Sequence, residues 1–97
     1  MLANSKGEAA QKEEAQAVAV AALGFIAADE DRLGHFLDLT GLAPDDIRRA
    51  VSQAGFLASV LQHVMSDEAT AAAFATENHL SPEALRRAAH RLGVYQD

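Results

Sequence analysis

The sequence predicts an all-α fold: a five- or six-helix bundle built from a duplicated helix–helix–turn–helix unit. Three observations predict it. First, the chain repeats itself. Asp29-Glu30 returns as Asp67-Glu68, an offset of 38. The same offset pairs Leu23 with Leu61, Phe36 with Phe74, Leu42 with Leu80, Pro44 with Pro82, Arg48-Arg49-Ala50 with Arg86-Arg87-Ala88, and Gly55 with Gly93. Internal periods of about 20–50 residues mark a supersecondary unit used more than once. Second, much of the apolar content is alanine, with four Phe, one Tyr and no Trp. Alanine is the strongest helix former and lets helices approach closely. Third, Asp, Pro and Gly stand where helices start and stop, and no segment reads as a strand. The units are placed at about 17–55 and 55–93 in a single domain over 8–97, behind a polar segment 1–7 expected to be disordered.

The elements follow in order. A first helix is expected from about Glu8 to Ala28, with Val18, Ala22, Phe25 and Ile26 at helical spacing. Asp29 caps a second, with Glu30 and Asp31 at its positive end. It is expected to bury Leu33, Phe36, Leu37 and Leu39 and to stop at Gly41, past Thr40. Pro44 opens a third, where its missing N–H costs nothing. Leu42 and Ile47 flank that start as the halves of a hydrophobic staple, and the helix is expected to end near Gly55. Phe56 to Met65 carries Leu57, Val60, Leu61 and Val64 on one stripe. Asp67 then restarts the cycle. Ala69 to Glu77 forms a fifth helix, Asn78-His79 replaces Thr40-Gly41, and Ser81-Pro82-Glu83 opens a sixth with Leu80 and Leu85 as the second staple. Gly93 ends it, leaving a short tail from Val94.

Composition narrows the function classes. There is no cysteine, so disulfides, thiol nucleophiles and thiolate metal sites are excluded; this fits a cytoplasmic location. The net charge of −6 opposes phosphate backbones and anionic membrane surfaces. The apolar run Ala15 to Ala28 is too short to span a bilayer, which needs roughly 20 residues. Acidic residues precede it, unlike a signal peptide. Because Leu23 and Ile26 have repeat partners in Leu61 and Val64, the run reads as a buried first helix.

Three constellations are candidates for chemistry. Leu37 to Arg49 resembles a helix-turn-helix core with Gly41 in the turn, and His79 to Arg87 resembles it again. Recognition helices set their first residues on bases and phosphates; here those places hold Asp45, Asp46 and Glu83. Next, Arg86, Arg87, His90 and Arg91 fall at helical spacing and form a basic face on the last helix. It is either a docking patch for an acidic protein partner or a solvated face opposite Leu85, Ala88, Ala89 and Leu92. Finally, His63 and Asp67 stand four apart, a possible ligand spacing, but Asp67 has a role as a cap. His35, His79 and His90 lack a His neighbour at metal spacing. No Gly-rich phosphate loop or GxSxG motif occurs, and the acidic pairs at helix starts are explained by the helix dipole.

Leu33-Gly34, Phe36-Leu37, Leu39-Thr40-Gly41-Leu42, Pro44-Asp45-Asp46 and Phe56-Leu57-Ala58 together resemble a small family of alphaproteobacterial proteins classed as a domain of unknown function. The resemblance covers about Ala17 to Gly93. It implies a bacterial cytoplasmic all-helical domain and supplies no activity, cofactor or site residue. The residues therefore lead to a non-enzymatic protein-interaction or scaffold module without cofactor or metal, for which a homodimer is compatible. The alternative is a helix-turn-helix nucleic-acid-binding protein.

Overall fold

Six helices occupy residues 2–94, the part of the chain that the computed structural model describes: α1 (Leu2–Ala27), α2 (Glu30–Thr40), α3 (Pro44–Ala50), α4 (Ala54–Met65), α5 (Glu68–Glu77) and α6 (Pro82–Arg91). No strand occurs among the described residues. The boundaries have local causes. Asp29 is extended (φ −126°, ψ 121°), and its carboxylate accepts from the N–H groups of Asp31 at 2.9 Å and Arg32 at 3.2 Å. Asp67 has nearly the same backbone (φ −128°, ψ 119°) and accepts from the Thr70 N–H at 3.0 Å. An extended residue with an acceptor side chain answers the orphan donors of a first turn.

The turns are built alike, with different residues. Gly41 sits in the left-handed region (φ 73°), and its N–H bonds the Leu37 carbonyl at 2.9 Å. His79 takes the corresponding place at φ 55°, the one non-glycine with positive φ among the described residues. There the Leu80 N–H reaches Ala75 O at 2.8 Å and the His79 N–H reaches Thr76 O at 3.3 Å, the paired bonds of a Schellman ending. Gly93 (φ 84°) closes α6 the same way, through Val94 to Ala89 at 2.8 Å and Gly93 to His90 at 3.1 Å. Pro44 and Pro82 are the first residues of α3 and α6. Ser81 caps α6 by accepting from the Ala84 N–H at 3.0 Å. Ala43 has no acceptor, and only the reverse bond exists there, from its N–H to the Asp46 carboxylate at 3.0 Å.

The core lies along α1. Its stripe of Ala15, Ala19, Ala22, Phe25 and Ile26 is buried against Leu57, Val60, Leu61 and Val64 of α4 and against Leu85, Ala88 and Ala89 of α6. Alanine on the facing surfaces lets these helices approach closely. Phe36 and Phe74 are both fully buried. Phe74 meets Phe25 edge-on, with ring centroids 5.5 Å apart, and Phe36 meets Phe56 at 6.1 Å. Such aromatic pairs add about 0.5–1.5 kcal/mol beyond area burial.

Several expectations are corrected. α1 starts at Leu2 rather than near Glu8; Gly7 lies within it, and a single glycine costs a helix only about 1 kcal/mol. α3 ends at Ala50, not near Gly55, with Val51 to Gln53 forming the turn and Gly55 inside α4. Leu39 is 64% exposed and is not part of the core. Met1 and the end of the expected tail, residues 95–97, lie outside the described residues.

α3 and α6 differ although both follow a proline. α3 has seven residues and buries none of them, whereas α6 has ten and buries Leu85, Ala88 and Ala89. The cause is what each lies on. α6 runs beside Gln11, Glu14, Ala15 and Val18 of α1. Shifted by 38, those positions fall at Arg49, Ser52, Gln53 and Phe56, across the short turn between α3 and α4, so α3 has no such helix to lie on.

Candidate functional site

α6 carries its polar groups on the side away from the core. Arg86, Arg87, His90 and Arg91 are all exposed. They gather with Glu83 around one shallow recess of about 500 Å³, so the helical spacing that grouped them in the sequence groups them in space. Arg87 and Arg91 also edge the groove between α6 and α1, across from Glu14. Even so, the one ion pair among the described residues lies elsewhere, between Arg49 and Asp46 at 2.9 Å.

The helix-turn-helix segments are placed less favourably for DNA. Asp45 is exposed on the first turn of α3. Asp46 holds both the Ala43 N–H and the Arg49 guanidinium. The Ala43 hydrogen bond first, then Arg49, keep its carboxyl below the ordinary Asp value. Arg49 is thereby neutralised by its own helix.

His35 and His63 form a pair that sequence spacing did not reveal. They are 28 residues apart, on α2 and α4, yet their rings lie 5.7 Å apart. His63 also packs edge-on against Phe36 at 5.1 Å. Partial burial, and then the nearby His35, push its imidazole below the ordinary His value. The two rings line a recess of about 310 Å³ with Ile26, Arg32, Ser66, Asp67 and Thr70. Asp67 is bound to the Thr70 hydroxyl at 2.6 Å as well as to its N–H, and these bonds lower its pKa. This accounts for the His63–Asp67 spacing through capping. No group of three or more His, Asp or Glu is placed to hold a metal ion among the described residues. A faint signal did exist in the sequence: Arg32 and His35 are i, i+3, as are His63 and Ser66. Only the meeting of α2 with α4 joins the two sets.

Fold and surface together define a small all-helical domain with a buried alanine-rich seam, one basic helix face and one imidazole-lined recess. No helix is long and apolar enough to cross a membrane among the described residues. The chain belongs to the DUF3572 family, a protein family of unknown function, whose model matches residues 12–94. No curated protein and no solved structure matches the chain.

Proposed function

We propose that this protein is a non-enzymatic interaction or scaffold module of the bacterial cytoplasm that docks an acidic protein partner through α6. One observation carries the reading: a chain of net charge −6 concentrates Arg86, Arg87 and Arg91 on one exposed face, where none of them forms an ion pair with a described residue. Charge complementarity of this kind steers encounter and selects partners. We read the molecule as an internal duplication. Support comes from α1 and α4 ending at Ala27 and Met65, α2 and α5 starting at Glu30 and Glu68, and prolines opening α3 and α6, all at the offset of 38. In that reading the two copies have diverged, α6 being held on α1 while α3 stands off the core.

The test is affinity capture on the immobilised full chain, wild type beside Arg87→Glu/Arg91→Glu, at low and high salt. A protein retained by wild type, released by salt and lost in the variant supports the reading. Retention that ignores both changes overturns it. Sedimentation of the chain alone shows whether the acidic partner is a second copy.

A further inference from the structure

The recess between α2, α4 and the start of α5 gathers hydrogen-bond donors that the fold leaves unused. It shares no residue with the basic face of α6. The Arg32 guanidinium lies over the Phe25 ring at 4.0 Å. That contact restrains the group and leaves the N–H donors of its rim available. No carboxylate is paired with it, since the one ion pair among the described residues is Arg49–Asp46. The rings of His35 and His63 line the same recess. The hydroxyls of Ser66 and Thr70 are already committed, donating to the His63 carbonyl at 2.7 Å and to Asp67 at 2.6 Å. What remains in the lining is a planar cationic fork and two imidazoles.

We infer that this recess binds a small oxyanion, a phosphate or a carboxylate, held by Arg32 and flanked by His35 and His63. The guanidinium fork matches two oxygens of such a group. Each imidazole donates one N–H when neutral and two when protonated. The volume of about 310 Å³ stands at the small end of ligand sites, which run from roughly 300 to 1,000 Å³. The charged and titratable groups around the rings are Arg32 and His35 from α2, His63 from α4 and Asp67 before α5; α1 lends only Ile26 to the lining. Asp67 is the one acidic group among them, and its carboxylate already holds the first turn of α5. A bound anion favours the charged form of His63, whose pKa the fold lowers, so anion binding opposes that lowering.

The test is an NMR titration of the full chain with orthophosphate in one arm and succinate in the other, following the ring protons of His35 and His63. Saturable shifts with either probe, weakened by about tenfold or more in Arg32→Gln and unchanged in Arg48→Gln, support the site and tell phosphate from carboxylate. Because Arg32 also packs on Phe25, the exposed His35→Gln is the second variant; it too weakens binding. No saturable shift with either probe up to about 10 mM, where even millimolar affinity shows, overturns the inference. So do shifts that Arg32→Gln leaves unchanged.

Discussion

Two phenylalanines and one histidine carry the sharpest consequences at the residue scale. Phe36 and Phe74, 38 residues apart in the chain, are both fully buried. Truncating a buried Phe to Ala costs roughly 3–5 kcal/mol, a large share of the about 5–15 kcal/mol that holds a small domain together. Phe36→Ala and Phe74→Ala should each lower the melting temperature sharply; a melt that barely moves would deny the residue its core role. His63 makes stability depend on pH. Its pKa is lowered in the fold, first by burial and then by His35, so the unfolded chain binds its proton more readily. Its contribution is fully present above the unfolded value, near 6.5, and is lost as pH falls through the lower folded value. Asp46 and Asp67, also lowered, act in the same direction, but only below the unfolded value near 3.8. Melts in phosphate-free buffer should therefore hold steady from pH 8 to about 6.5 and decline below it. His63→Gln should flatten that first decline; an unchanged profile would place the effect on another group.

At the scale of the element, the comparison between α3 and α6 separates capping from packing. α6 has a Ser81 cap and a buried face; α3 has Ala43 and neither. Ala43 already has the extended backbone of a capping residue, so Ala43→Ser should add an acceptor without strain. The expected gain is about 0.5–1 kcal/mol, read as a higher melting temperature; no gain would show that the half-box through Asp46 suffices. Packing sets the larger difference. Segments with few buried contacts open locally at low free energy. In hydrogen exchange, the amides of Ile47 to Val51 should lose protection well before those of Leu85 to Leu92. Equal protection would mean that α3 is held by something the helix contacts do not reveal.

On the scale of the whole molecule, charge decides between the two surface readings. Non-specific DNA binders reach about 10⁻⁴–10⁻⁶ M by neutralising several phosphates. The segment around Pro44 offers Arg48, while Arg49 is tied to Asp46 and Asp45 faces outward. The expected outcome in a gel shift at physiological salt is no appreciable affinity for duplex DNA. A salt-sensitive shift abolished by Arg87→Ala would move the function to the nucleic-acid reading and locate the contact on α6.

The all-helical class, the start of every helix from α2 onward to within a residue or two, and the grouping on α6 are legible in the chain. These are local matters: Asp29, Asp67 and Ser81 bond their own first turns, Pro44 and Pro82 preset a backbone angle, and Arg86 to Arg91 share a face through the pitch of one helix. The start of the first helix is not legible in the same way, since one glycine does not outweigh its helix-forming neighbours, nor is the end of the third, since Gly55 is no stop. Which of two similar helices is packed depends on the assembly of the whole fold. α6 has the early half of α1 to lie on, and α3 has none. That assembly also decides that Leu39 is exposed and that His35 meets His63, since both depend on where α2 crosses α1 and α4. Residues 28 apart in the chain carry no mark of that crossing, because helix contacts are set by the burial of whole faces rather than by any spacing between the residues that meet.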